Sequence, residues 1–173
     1  MGVEIERKFL VLTNDWRGAA GPATRLRQGY LSQAGGVTAR VRCAGDDAFL
    51  TVKGPRDGLA RPEFEYPIPV RDAERMLSRL AQSAPLLKVR YPVTVRGLTW
   101  EVDVFEGPHQ GLVLAEIELE HPSQEIDIPA WIGEEVTADR RYRGSALARS
   151  GFVPQRDRDR SDAAVLIEAA SPA

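Results

Sequence analysis

Charged and apolar side chains alternate along most β-favouring segments of this 173-residue chain, beginning with Glu4-Ile5-Glu6-Arg7-Lys8. Because alternate side chains of a strand share one face, Glu4, Glu6 and Lys8 point the same way, roughly 6–7 Å apart. A strand face that merely contacts solvent would carry more Thr, Ser and Gln. The pattern therefore restricts the fold to one in which charged strand faces are turned towards something other than bulk water.

Charged faces of the same kind recur along the chain, at Arg40/Arg42, Lys53, Arg61/Glu63/Glu65, Lys88/Arg90, Glu101/Asp103 and Glu116/Glu118/Glu120. If these faces line one cavity, its cations oppose each other, since two like charges ~6 Å apart repel by about 3 kcal/mol at an effective dielectric near 20. A polyanion would offset that repulsion, and the arginine guanidinium binds phosphate oxygens bidentately. Glutamate oxygens without His or Cys favour a hard cation such as Mg²⁺ or Mn²⁺. The residues thus favour a metal-bridged oligophosphate, although spacing alone fits Glu4, Glu6, Glu116 and Glu118 equally well as metal ligands or as solvated charges.

The coarse pattern predicts a mainly β chain. Strands are expected at residues 3–12, 25–32, 37–43, 48–53, 62–68, 86–95, 98–105 and 112–121, with hairpin turns at Gly45-Asp46-Asp47 and Gly97. One helix is predicted by the spacing of Val70, Ala73, Met76, Leu77 and Leu80, and a second covers Gly144 to Ser150. We expect one domain over residues 1–153 and a charged C-terminal tail over 154–173, whose end is a candidate docked helix.

Composition excludes several classes of protein. A formal net charge of -2 argues against a general nucleic-acid binder, which would normally be basic. The single cysteine, Cys43, and the absence of a signal peptide or membrane-spanning run predict a cytoplasmic protein that does not contact membranes. His109 and His121 lack metal-ligand spacing and are expected in solvent. No phosphate-binding glycine loop or nucleophile elbow is present.

The residues also resemble a known family. Glu4-x-Glu6-x-Lys8 is similar to the signature of the CYTH domain, or triphosphate tunnel metalloenzyme, family. The similarity continues in order through Gln28-Gly29-Tyr30-Leu31, Arg40-x-Arg42, Thr51-Val52-Lys53-Gly54, Arg61-x-Glu63-x-Glu65, Lys88-x-Arg90-Tyr91, Trp100-Glu101-Val102-Asp103, Ala115-Glu116-Ile117-Glu118-Leu119 and Glu135-Val136-Thr137-x-Asp139. One departure is Arg143-Gly144, where relatives often carry Asn at the second position, and it bears on the start of the second helix.

The resemblance implies an α+β, mainly β fold: a closed eight-stranded antiparallel barrel with a charged tunnel and flanking helices. It implies that Glu4, Glu6, Glu116 and Glu118 bind Mg²⁺ or Mn²⁺ and, together with Lys8, form the catalytic set. Phosphates would be held by Lys8, Arg40, Arg42, Lys53, Arg61, Lys88, Arg90 and Arg141, with Glu63, Glu65 and Asp103 elsewhere in the tunnel. The outward side chains of Ile5, Phe9, Val41, Val52, Phe64, Val89, Ile117 and Leu119 would pack against helices.

The function that follows is metal-dependent hydrolysis of inorganic triphosphate by a monomer or homodimer. A class IV adenylate cyclase acting on ATP, a thiamine triphosphatase and a non-catalytic polyphosphate-binding module remain alternatives. The four glutamates disfavour the module, and the lack of an aromatic pair for a base favours inorganic triphosphate over ATP.

Overall fold

The structure, a computed structural model, describes residues 2–154. Within that range the strands are β1 (Gly2–Val11), β2 (Thr24–Ala34), β3 (Val37–Ala44), β4 (Asp47–Lys53), β5 (Ala60–Pro67), β6 (Leu86–Val95), β7 (Leu98–Phe105), β8 (Val113–Glu118) and β9 (Ile132–Glu135). The α-helices are α1 (Val70–Arg79) and α2 (Gly144–Ser150), and short 3₁₀ helices cover Asp15–Ala19, Gly107–His109 and Arg140–Tyr142. The predicted tail lies outside the described residues except for Pro154.

β1 to β8 form one closed antiparallel barrel, in the order β1-β5-β4-β3-β2-β6-β7-β8. β1 closes the ring because its first half pairs with β5, with Glu4 opposite Arg61, and its second half with β8, with Lys8 opposite Glu116. β9 pairs with β1 through Phe9 and Val11. The predicted eight-stranded barrel is therefore confirmed.

The eight predicted strands are all present, and period-2 alternation explains why they could be found. The β6–β7 hairpin turns through Arg96 and Gly97, whose φ angles of 48° and 84° match the two positive-φ positions of a type I′ turn. β9 was not predicted, because its four residues contain Gly133 and two adjacent acids in place of alternation. Among the described residues, no helix is both long and apolar enough to span a membrane.

The apolar faces of the strands point outward, and they are covered in two different ways. Val41, on β3, packs with Ala73 and Leu77 of α1, as expected for a helix-covered barrel. Ile5, Phe9, Ile117 and Leu119 instead join a cluster with Trp16 and Trp131, which lie in a 3₁₀ helix and in a loop. Phe64 is 38% exposed, so the expectation that all outward side chains pack against helices is wrong. Large aromatic side chains bury enough apolar area to replace a helix on this side.

α2 closes one end of the barrel interior. The inward rows of β1, β6, β7 and β8 each end in an apolar residue, and Leu10, Leu86, Phe105 and Leu114 pack with Leu147 of α2. The expectation that His109 lies in solvent is wrong, because His109 is 4% exposed and its Nε2 bonds the carbonyl oxygen of Leu147 at 3.0 Å. The interior therefore has an apolar floor beneath its charged walls.

Candidate active site

The inward faces of the barrel strands line a cavity of about 300 Å³. Its charged lining comprises Glu4, Glu6, Lys8, Arg40, Arg42, Lys53, Arg56, Arg61, Glu63, Glu65, Lys88, Arg90, Glu101, Glu116, Glu118 and Arg143. The alternation of the sequence thus turns each charged row inward, and strands distant in sequence bring their charges together.

Neighbouring strands place the four predicted metal-binding glutamates in two environments. β1 and β8 pair so that Glu6 lies directly opposite Glu118 and Lys8 directly opposite Glu116. Directly opposed side chains have Cβ atoms only about 5 Å apart, so opposed carboxylates repel. Glu4 lies two residues before Glu6 on β1, opposite Arg61 of β5.

Glu4 and Glu6 are engaged by cations of β4, β5 and the loop between them. Lys53 Nζ lies 2.7 Å from Glu4 Oε1, and Arg61 Nε donates to Glu4 Oε2 at 2.6 Å. Arg56 donates to Glu6 Oε1 at 2.7 Å. Although burial raises the pKa of Glu4, the charges of Lys53 and Arg61 outweigh it and lower that pKa to about 2.

Glu116, like Glu4, is paired with two cations. Lys8 Nζ lies 2.7 Å from Glu116 Oε1, and Arg90 donates to Glu116 Oε2 at 2.8 Å. Burial raises the pKa of Glu116, but Lys8, Lys88 and Arg90 lower it well below its usual range. Glu116 is therefore an ionised carboxylate held between two cations.

Glu118 has the opposite environment. It forms no ion pair with the residues that the structure describes, and burial together with the charges of Glu4, Glu63 and Glu101 raises its pKa. This carboxylate is short of positive charge.

The predicted phosphate-binding cations are paired with carboxylates in the same way. Arg42 donates to Glu65 at 2.9 Å, and Thr51 donates to the same carboxylate at 2.7 Å. Lys88 and Arg90 share Asp103, which is fully buried behind the cavity wall. These cations are thus neutralised within the cavity, and a phosphate chain must exchange places with carboxylates to reach them.

Arg141 is the predicted phosphate contact that the structure does not bring to the cavity. Its guanidinium donates to Asp139, whose side chain also accepts the Arg141 backbone N–H, and Arg141 is not among the residues that line the cavity. Arg56 and Arg143 line the cavity instead, and sequence reasoning missed both as site residues. Both lie outside the strands, so no alternation identified them; their closeness to Gly54 and to the second helix was the only signal.

The carboxylates fit a hard divalent cation by their chemistry. Glu6 and Glu118 are directly opposed, and Glu118 lacks a positive partner among the described residues, so a cation here would relieve repulsion. No three His, Cys, Asp or Glu side chains of residues 2–154 converge closely enough to hold a metal ion, since Glu4, Glu6 and Glu116 face Lys and Arg. Cation binding therefore requires these glutamates to give up ion pairs.

Comparison with known proteins agrees with this geometry. The CYTH domain family model matches residues 2–150. The inorganic triphosphatase of Acetivibrio thermocellus is 42% identical over 152 residues, covering 88% of this chain and 97% of that protein. That of Nitrosomonas europaea is 40% identical over 151 residues, covering 85% and 97%.

A solved structure supports the same relationship. The crystal structure of an inorganic triphosphatase is 37% identical to this chain, covers 90% of it and 99% of its own length, and superposes with a TM-score of 0.61. The family match covers nearly the whole described barrel. The chain belongs to the CYTH domain family.

Proposed function

We propose that the protein hydrolyses inorganic triphosphate to pyrophosphate and orthophosphate, with Mg²⁺ or Mn²⁺ as cofactor. The observation that carries this proposal is the convergence of nine Lys and Arg side chains and seven Glu side chains on one cavity of about 300 Å³. Two relatives named inorganic triphosphatase, at 42% and 40% identity, support it.

The cations supply the binding energy and the positioning. Arg40 and Arg42 of β3 and Arg90 of β6 present guanidinium groups to the cavity, and the planar fork of each matches phosphate oxygens. Because each of the three is paired with a carboxylate, the incoming phosphate replaces an existing charge contact. The binding free energy gained at each arginine is therefore the difference between its ion pair with phosphate and its existing ion pair with a carboxylate. A high affinity for the phosphate chain thus requires several such contacts to form together.

Glu4, Glu6, Glu116 and Glu118 would hold the cation. When bound, it neutralises negative charge that develops on the phosphate oxygens. Glutamates released from Lys and Arg by the phosphate chain become available to the cation, so the two ligands favour each other's binding. Turnover measured separately with Mg²⁺ and with Mn²⁺ shows which of the two cations the site prefers.

The chemical step follows from this binding. The cationic walls fix the phosphate chain and leave one terminal phosphorus open to in-line attack by water. The bond from that phosphorus to the bridging oxygen breaks, pyrophosphate leaves with that oxygen, and orthophosphate forms with release of a proton. Cations on the walls stabilise the charge on the departing oxygens.

The cavity lining favours inorganic triphosphate over a nucleotide or thiamine triphosphate. Its aromatic residues, among those described, are Tyr30, Phe105 and Tyr142, and all three belong to the apolar cluster beneath α2. They are 7%, 4% and 3% exposed, which leaves no open ring for a base to stack on. A heterocycle would gain little here beyond what the phosphates gain.

We also propose that the protein acts in the cytoplasm on a small-molecule triphosphate. Its single cysteine, Cys43, is buried as a free thiol on the outer side of β3. A free thiol is stable where glutathione keeps cysteines reduced.

Phosphorus NMR tests the function directly. Tripolyphosphate, ATP and thiamine triphosphate are each incubated with the protein and either Mg²⁺ or Mn²⁺. We expect orthophosphate and pyrophosphate from tripolyphosphate; cyclic AMP from ATP would establish the cyclase instead. If the protein binds tripolyphosphate but hydrolyses it with neither metal, it is a polyphosphate-binding module and not an enzyme.

Glu116→Gln tests the assigned site. Losing the carboxylate between Lys8 and Arg90 should lower kcat by about 100-fold or more, since single electrostatic groups contribute about 10²–10³. Glu120→Gln is the matched control, because Glu120 is exposed and does not line the cavity. Normal turnover by Glu116→Gln would show that Glu116 has no role in catalysis.

A further inference from the structure

Arg143 differs from the other cavity cations in having no carboxylate partner. Lys8, Arg40, Arg42, Lys53, Arg56, Arg61, Lys88 and Arg90 each form at least one ion pair with a carboxylate. Within residues 2–154, the Arg143 side chain forms none, and its Nε is buried without a hydrogen-bond partner. An unpaired guanidinium in a cavity wall costs free energy while the cavity is empty.

The surroundings of Arg143 increase that cost. Burial and then the charges of Arg56, Arg140 and Arg61 lower its pKa, and Glu6 compensates only weakly. Glu6 itself is already engaged by Arg56 at 2.7 Å and by Arg61 at 3.4 Å. The cavity therefore has a local surplus of positive charge at the junction of the β4–β5 loop and the start of α2.

This surplus contrasts with the deficit at Glu118. The charges that act most strongly on Glu118 are those of Glu4, Glu63 and Glu101, whereas those that act most strongly on Arg143 are Arg56, Arg140 and Arg61. A chain of phosphates with a cation bound to one part has the same asymmetry of charge. The pattern fits a ligand whose metal-bound part lies among the glutamates and whose bare terminal oxygens lie against Arg143.

We propose that Arg143, with Arg56 beside it, forms an additional anion subsite of the cavity that binds a terminal phosphoryl group. The inference depends on the proposed function only for the identity of the phosphate chain. A terminal phosphoryl group carries more charge and more free oxygens than a bridging one, so it suits a guanidinium fork that has no competing carboxylate. The same chemistry would accept free orthophosphate, and the test separates these two sources.

The neighbouring glycine supports a site that is built around Arg143. A Cβ on Gly144 would lie 2.3 Å from Tyr30 Oη and 3.2 Å from Gln28 Nε2. The absence of that Cβ lets the backbone after Arg143 approach the cavity wall. Gln28 is 3% exposed, lines the cavity, and has its Oε1 buried without a partner, so this corner also offers an unused acceptor for a protonated phosphate oxygen or a water.

Equilibrium binding of tripolyphosphate in EDTA, measured by calorimetry on the full chain, tests the subsite without metal or turnover. Charge-assisted hydrogen bonds predict that Arg143→Gln weakens binding by about 10- to 100-fold. Arg143→Lys should recover part of the loss, because it restores charge without the fork. Arg149→Gln is the control, since Arg149 lies in α2, is exposed and does not line the cavity; it should change binding less than 2-fold.

Titration with orthophosphate distinguishes the two sources. If Arg143→Gln weakens both ligands, the subsite also holds the free product; if it weakens tripolyphosphate alone, the subsite requires the end of a chain. Either result supports the subsite. Equal tripolyphosphate affinity in Arg143→Gln and Arg149→Gln would overturn it, and so would failure of the wild-type protein to bind tripolyphosphate in EDTA.

Thermal melting of the protein without ligand tests whether Arg143 has a purely structural role. Removing an unpaired cation from a cationic corner should leave the Tm of Arg143→Gln equal to or above that of the wild type. A clear fall in Tm with unchanged binding would assign Arg143 to folding. A wild type that binds tripolyphosphate but never hydrolyses it would refute the proposed function and leave the subsite standing.

Discussion

Asp103→Asn should destabilise the fold more than most single substitutions, because two cavity cations depend on this carboxylate. Asp103 is fully buried and accepts hydrogen bonds from Arg90 Nε and Nη2, each at 2.7 Å. It also forms an ion pair with Lys88. Arg90 also contacts Glu101 and Glu116, whereas Lys88 has no other carboxylate partner among the described residues. Asp103→Asn would therefore leave Lys88 without a carboxylate partner among the described residues, whereas Arg90 would keep Glu101 and Glu116.

The expected loss of stability can be worked from these contacts. Removing one partner of a buried ion pair typically costs about 3–5 kcal/mol, and repulsion between Lys88 and Arg90 at ~6 Å is about 3 kcal/mol at an effective dielectric near 20. Burial and the charge of Arg90 already lower the pKa of Lys88, so the variant can lose that proton and limit the damage. We therefore expect a loss of about 3 kcal/mol, a large share of a typical stability of about 5–15 kcal/mol.

Urea unfolding at pH 7, with and without tripolyphosphate, measures this effect. A ligand at 100 times its Kd stabilises a protein by about 2.7 kcal/mol, and the gain should be larger in Asp103→Asn because phosphate replaces the missing negative charge. Asp127→Asn is the control, since Asp127 pairs with Arg96 on the surface and should cost less than about 1 kcal/mol. A loss below about 1 kcal/mol in Asp103→Asn, with an unchanged m-value, would refute the argument.

Two further predictions concern pH and packing. The pKa of Glu4 is lowered from 4.5 to about 2, so its ionisation contributes stability above pH 4.5 that is lost as the pH falls towards 2. Urea midpoints measured from pH 5 to pH 2 should fall less steeply in Glu4→Gln, and parallel curves would contradict this assignment. Gly144→Ala should lose about 1–3 kcal/mol in urea unfolding and raise KM for tripolyphosphate, because its Cβ would lie 2.3 Å from Tyr30 Oη. Gly18→Ala, with nothing within 4 Å of its Cβ, is the control, and equal behaviour of the two variants would disprove the steric argument.

Alternation explains why most of the barrel could be predicted from sequence. β6 and β7 have the predicted bounds, Leu86–Val95 and Leu98–Phe105, because both alternate up to a turn that only positive φ permits. β9 and the tryptophan-covered outer face could not be predicted in the same way. Trp16 and Trp131 lie in segments without periodicity, and only their three-dimensional neighbours decide what they cover.

The candidate site divides along the same line. Cavity cations on strands, such as Arg40 and Lys88, were predicted as site residues because alternate side chains of a strand point to the same face. Arg141 lies in the short 3₁₀ helix Arg140–Tyr142 and Arg143 follows it directly, so the alternation of a strand assigns neither residue to the cavity. Arg141 is hydrogen-bonded to Asp139, and such contacts depend on side-chain conformations that a sequence pattern does not encode.

The apolar floor beneath α2 closes one end of the barrel interior. While Leu147 remains packed against Leu10, Phe105 and Leu114, that end is closed, and we expect a phosphate chain to enter and both product fragments to leave through the opposite end of the barrel. We therefore expect the product fragment nearer the floor to dissociate only after the outer fragment has left. An excess of the outer fragment in solution would therefore hold the inner one in place and slow every cycle.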